Sequence, residues 1–301
     1  VTSQTETWNG TNWTEVNDLN TARGSLGGAG ADNTSALAFG GGTPANTAAT
    51  ESYNGTNWTA VANLSTARRF LTGSASATAA LAFGGYTAAD SNLTEEFNTG
   101  VVGGSWATGG ALNTARYNLA GAGTQTAALA FGGWGPGAPN TGVTESYNGT
   151  NWTEVNDLNT GRNALAGAGT NTAALAFGGD YPGTPEFFAG TESWNGTNWT
   201  AVNNLNTARK GMGGAGTNTA ALAFGGITTP GIYFSATETW NGTNWTEVND
   251  MNTARRSMGS AGTNTAALAF GGYPAPLGNT ESWNGTNWTE VNDMNAARLE
   301  L

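Results

Sequence analysis

Residues 173–179 read Ala-Ala-Leu-Ala-Phe-Gly-Gly, and residues 191–200 read Thr-Glu-Ser-Trp-Asn-Gly-Thr-Asn-Trp-Thr. In the first stretch Leu175 and Phe177 alternate with Ala174 and Ala176, a period of two that marks a β-strand with one bulky and one small face. Such a strand suits a place between two sheets, its large side chains nesting on the small face of the next. The second stretch sets Asn-Gly between aromatic residues, and predicts a hairpin closed by a type I′ turn with positive φ at both central residues.

Both stretches recur along the whole chain. The first ends at Gly41, Gly85, Gly133, Gly179, Gly226 and Gly272, and the second carries its later tryptophan at Trp13, Trp58, Trp106, Trp152, Trp199, Trp245 and Trp288. Those tryptophans are 45, 48, 46, 47, 46 and 43 residues apart. Within a unit a short strand a (Ser25 to Gly30, Ala164 to Gly169) precedes the Ala-Leu-Ala-Phe strand b. A strand c around Glu145 to Tyr147 and a strand d around Asn151 to Val155 follow it. Four antiparallel strands per unit, with units of this length, predict an all-β, six-bladed β-propeller forming one domain over residues 1–301. Seven blades is the alternative reading. An open solenoid is disfavoured, because neither terminus carries a polar capping repeat.

The chain contains seven c–d halves but six a–b halves, since it begins with Thr5 to Val16 and ends with Thr280 to Val291. One terminal c–d pair is therefore surplus: the amino- and carboxy-terminal copies are equivalent candidates for completing the last blade, and the other is expected to pair with another chain or a neighbouring domain. An edge strand left bare would invite aggregation.

The Gly-Gly pair ending strand b, the aromatic of strand c (Trp8, Tyr53, Phe97, Tyr147, Trp194, Trp240, Trp283) and the tryptophan of strand d resemble the kelch repeat over the whole chain. The run Asn-Gly-Thr-Asn-Trp-Thr-Glu-Val-Asn-Asp-Leu-Asn-Thr-Ala-Arg is similar to kelch-like repeat proteins encoded by marine bacteriophages. The resemblance implies a propeller fold and a place on a virion or another extracellular surface.

Composition removes several function classes. The 301 residues include no cysteine and no histidine, which excludes Cys/His zinc sites, Ser-His-Asp and Cys-His nucleophile systems and disulfides. No metal and no cofactor is expected. With 10 basic against 21 acidic residues the net charge is −11, so neither nucleic acid nor an anionic membrane surface is an expected partner. No apolar run approaches the roughly 20 residues of a bilayer span, and the chain reads as soluble with any export signal outside it.

Seven of the ten basic residues form one series leading into strand a: Arg23, Arg68, Arg116, Arg162, Arg209, Arg255 and Arg298. A matching series on strand c comprises Glu6, Glu51, Glu95, Glu145, Glu192, Glu238 and Glu281. The one-to-one matching favours structural ion pairs over an arginine-lined anion pocket. A second acidic series, Glu15 with Asp18, Glu154 with Asp157, Glu247 with Asp250 and Glu290 with Asp293, becomes Ala60 with Asn63 and Ala201 with Asn204 elsewhere. It reads as solvated charge, too few oxygens for calcium. Asn9-Gly10-Thr11 and Asn12-Trp13-Thr14 match the glycosylation pattern but read as turn chemistry.

Variation concentrates in the b–c connections: Gly42 to Ala49, Tyr86 to Leu93, Trp134 to Val143, Asp180 to Gly190, Ile227 to Ala236 and Tyr273 to Asn279. Their aromatics, Tyr86, Trp134, Tyr181, Phe187, Phe188, Tyr233, Phe234 and Tyr273, form the expected ligand-binding set on one loop face. The expected role is non-enzymatic: receptor binding or adhesion by a phage structural protein that recognises a host-surface glycan or protein. The alternatives are a purely architectural subunit binding other virion subunits, and a secreted lectin or carboxylate-only glycan-active enzyme. The enzyme would draw on acids outside the repeats, Asp32, Asp90, Glu96, Asp180, Glu186 and Glu300, which show no constellation in sequence.

Overall fold

The computed structural model of the chain describes residues 3–10, 12–32, 34–42, 44–100, 104–136, 140–181, 187–229, 231–294 and 297. Six four-stranded antiparallel sheets form the blades of a six-bladed β-propeller. In the fourth blade Ala166–Gly169, Ala174–Phe177, Thr191–Trp194 and Trp199–Val202 pair in sequence order, with Leu175 opposite Ser193 and Trp194 opposite Trp199. The innermost strands are Gly27–Asp32, Thr72–Ser76, Ala120–Thr124, Ala166–Gly169, Gly213–Gly216 and Gly259–Gly262.

Two local expectations are corrected. Strand a starts two residues later than predicted, at Gly27 and Ala166, because Ser25 and Ala164 take φ of 52° and 49° and break the extended run. The Asn-Gly hairpins are not type I′ turns. Four residues separate Tyr53 from Trp58, only Gly55 (φ 90°) has positive φ, and Asn54 Oδ1 instead accepts the amides of Thr56 and Asn57 at 3.0 and 2.8 Å. The asparagine side chain closes the turn that a second positive φ would otherwise have to make.

Between blades, the alternation does what its faces suggest. The phenylalanine ending each strand b meets the strand-d tryptophan of the next blade with centroids 4.9–5.5 Å apart, from Phe39 with Trp106 round to Phe270 with Trp13. That tryptophan donates its indole N–H back to the first threonine of strand c in the preceding blade, as Trp152 does to Thr94 at 2.8 Å. Fully burying a side chain such as Phe83 or Leu81 contributes about 1.5–3 kcal/mol. The Gly-Gly pair permits the blades to approach: Gly84 (φ 64°) lies so close to the next blade that a Cβ there would stand 2.8 Å from the Arg116 carbonyl.

Within each blade the arginine and glutamate series meet. Six buried ion pairs, Arg23–Glu51, Arg68–Glu95, Arg116–Glu145, Arg162–Glu192, Arg209–Glu238 and Arg255–Glu281, span 2.5–3.1 Å. Each guanidinium also donates to the strand-b carbonyl of its own blade, Arg162 to Ala176 for example. In five blades the second carboxylate oxygen accepts the backbone and side-chain N–H of an asparagine three residues before the arginine, as Glu192 does from Asn159, while in the second blade Ser65 donates its backbone N–H to Glu95. The d–a connection is thereby laced to strands b and c. Arg298 lies outside the described residues, and Glu6 is half-buried on the amino-terminal strand.

The second acidic series also has a fixed task. Asp157 and Asp250 Oδ1 accept the first amide of strand c, at Thr144 and Thr237, at 3.0 and 3.3 Å. Asn63 and Asn204 do the same for Thr50 and Thr191. The expectation of mere solvated charge holds for the glutamates of that series and fails for its aspartates.

The carboxy-terminal c–d pair belongs to the sixth blade, so the surplus pair is the amino-terminal one, Thr5–Trp8 with Trp13–Val16. It sits within the ring between the sixth and first blades. Trp13 bonds Thr280 and packs on Phe270, as a strand d does on the blade before it, while Asn20 and Arg23 reach Glu51 of the first blade. Its two-stranded sheet explains one irregularity. Trp58 has no strand-b phenylalanine ahead of it among the described residues, and its buried indole N–H has no acceptor.

A candidate binding site at the axial mouth

The residue after each series arginine varies round the ring: Gly24, Arg69, Tyr117, Asn163, Lys210 and Arg256. Each is joined by an antiparallel backbone bridge to the residue after the Gly-Gly pair of the same blade, namely Gly42, Tyr86, Trp134, Asp180, Ile227 and Tyr273. Constant backbone thus presents six variable pairs around the ring axis, where the d–a and b–c connections emerge.

The next residue round the ring holds the mouth open. Ser25, Phe70, Asn118, Ala164 and Ser257 have φ of 49–53°, and Gly211 completes the series at 62°. In this left-handed conformation, costly for a residue with a Cβ, four of the six N–H groups reach the preceding blade. Phe70 N–H donates to Ser25 O, Ala164 to Asn118, Gly211 to Ala164 and Ser257 to Gly211, at 2.8–3.2 Å. Enclosed there is a cavity of about 550 Å³, walled by Phe70, Tyr117 and Trp134 on one side and by Asp180, Lys210 and Arg256 on another. That volume lies in the range of small-ligand sites.

The three basic residues outside the series are Arg69, Lys210 and Arg256, and all three occupy this one position of the repeat. Lys210 Nζ pairs with Asp180 at 2.6 Å over the ring of buried Phe187. Arg256 lies 5.0 and 5.9 Å from the ring centroids of Tyr273 and Tyr233, and Arg69 lies 5.2 and 5.8 Å from Phe70 and Tyr86. The buried Nε of each of these two arginines lacks a hydrogen-bond partner. Burial, with Asp90 adding to it, raises the pKa of Tyr117 above the ordinary tyrosine value, so this phenol is neutral at pH 7.

Of the eight aromatics expected to bind ligand, Trp134 lines the cavity and is the exposed one, at 38 %. Tyr86, Tyr233 and Tyr273 stand behind it as rests for the two arginines. Phe188 and Phe234 fold back over the series residues Arg162 and Arg209, and Tyr181 stacks on Phe188. Sequence reasoning missed Phe70 and Tyr117. The signal was the two variable positions between a constant arginine and strand a. The non-repeated acids do not gather: Glu96 accepts the Tyr147 hydroxyl, Asp180 holds Lys210, and Asp90 belongs to the second blade. The side chain of Asp32, and Glu186 and Glu300 entirely, lie outside what is described. Among the described residues no group of three acids could hold a metal ion. No protein-family model and no curated protein matches this chain.

Proposed function

We propose that this propeller is a non-enzymatic binding module whose ligand enters the axial mouth, with the b–c loops as the surrounding contact surface. One observation carries the reading: two positions whose side chains vary round the ring are paired across a backbone bridge that every blade keeps, and six of them, Tyr117, Trp134, Asn163, Asp180, Lys210 and Arg256, line one cavity. A frame held constant around varied side chains is the arrangement of a recognition surface. In this reading the ligand is a host-surface glycan or protein. The likeness of the repeat phrasing to kelch-like bacteriophage proteins supports a setting on a virion surface, as a receptor-binding or adhesin component.

The test is binding of the purified chain to a glycan array and to host-cell surface proteins, beside Trp134→Ala combined with Tyr233→Ala. Binding by the parent and loss in the double variant, with an unchanged unfolding transition, is the expected result. Retained binding in the folded double variant would remove the mouth and its loops from recognition.

A further inference from the structure

We infer that the ligand of the axial mouth is an acidic saccharide, a sugar ring bearing a carboxylate; this rests on the binding role proposed above and names its ligand class. The chain carries a net charge of −11 and commits six series arginines to glutamates, yet places Lys210 and Arg256 in the wall of the mouth and Arg69 on the wall residue Phe70. Lys210 is answered by Asp180, whereas Arg69 and Arg256 have no carboxylate within ion-pair distance among the described residues. Their guanidinium groups are held over pairs of aromatic rings. Rings that fix a guanidinium without neutralising it leave its planar N–H groups preorganised for an oxyanion, and carboxylate matches that geometry.

The opposite wall sets the rest of the ligand. Trp134, Tyr117 and Phe70 run in series, with successive centroids 6.4 and 6.5 Å apart, a continuous aromatic surface facing Lys210 and Arg256 across the cavity. The face of a pyranose ring, with its axial C–H groups, packs on such a surface while the carboxylate reaches the arginine. At about 550 Å³ the cavity accommodates one or two sugar units. The acid and the apolar face therefore have to belong to one compact molecule.

The experiment titrates the whole chain with digalacturonate, with its neutral counterpart digalactose, and with tetraglutamate, following intrinsic tryptophan fluorescence and calorimetric heat. Expected is saturable binding of digalacturonate, at least about tenfold tighter than digalactose and weakened by salt. Arg256→Gln should erase that preference by bringing digalacturonate down to the affinity of digalactose, with Arg69→Gln as the second variant should the first fail to fold. Equal binding of the acidic and neutral sugars, indifferent to Arg256→Gln, overturns the inference and leaves the binding role intact. Tighter binding of tetraglutamate overturns the saccharide class. No binding of any probe overturns the inference, and the array experiment then decides the binding role separately.

Discussion

Trp13 donates its indole N–H to Thr280 Oγ1 at 2.8 Å, joining residues 267 positions apart in sequence. The bond repeats the contact made between complete blades, and seats the amino-terminal pair on the sixth blade. Thr280→Val keeps the shape and removes the acceptor, so the partly buried indole N–H is left unsatisfied. A loss of about 1–3 kcal/mol is expected from chemical denaturation. Because Phe270 also loses its neighbour, Trp13→Ala should cost more, about 3–5 kcal/mol.

Arg162 and Glu192 are buried and 2.6 Å apart. Arg162→Met strands the carboxylate, and should cost about 3–5 kcal/mol. Combining it with Glu192→Leu removes the uncompensated charge, so the double variant should be more stable than the first single one. A double-mutant cycle by urea unfolding measures this. Additive losses would show that the pair does not act as a unit.

Asp157 accepts the first amide of strand c through Oδ1. Since asparagine fills this role at Asn63 and Asn204, Asp157→Asn should be nearly neutral. Asp157→Ala leaves the Thr144 amide without its acceptor, and should cost about 1 kcal/mol in equilibrium unfolding.

The Ser257 backbone stands at φ 49°. Ser257→Gly should raise stability by about 0.5–1 kcal/mol, read as an increased melting temperature, because glycine adopts this region without strain. Phe70→Gly relieves the same strain but removes part of the aromatic wall, so it should separate the two properties: stability held or raised, sugar binding reduced.

Alkaline pH acts through Tyr147. Burial first, then its hydrogen bond and charge repulsion with Glu96, push this phenol above the ordinary value of 10.0. A group whose folded pKa is raised contributes stability that is present below the unfolded value and lost as pH rises past it. Stability should therefore fall as pH climbs above 10.0, with a shallower fall in Tyr147→Phe. Arg116 works in the opposite sense, since burial presses its guanidinium down to about 10. Its loss of a proton at higher pH favours the folded state and offsets part of the slope. Unfolding midpoints across the alkaline range in both proteins read the difference.

The blades were legible because Leu175 and Phe177 repeat with a period of two and the arginine and glutamate series match in number. What escaped was geometry that residue type does not encode. Ser25, Ala164 and Phe70 carry no preference for positive φ, so the late start of strand a came from contacts between blades rather than from local propensity. Asn54 was read through its Gly55 neighbour as a backbone turn, when its side chain closes the loop. At the mouth, aromatic loop residues were conspicuous in sequence, but Phe188 and Phe234 proved to cover arginines. Tyr117, on a short connection between a constant arginine and a strand, was overlooked.

The bridge between Arg256 and Tyr273, and its five counterparts, are made by main-chain atoms alone. Side chains other than proline can therefore be exchanged at these twelve positions without rewriting the main-chain bonds that hold them. The ring separates what must stay fixed from what is free to drift: ligand preference can be recomposed one blade at a time, while the stability of the whole is inherited unchanged.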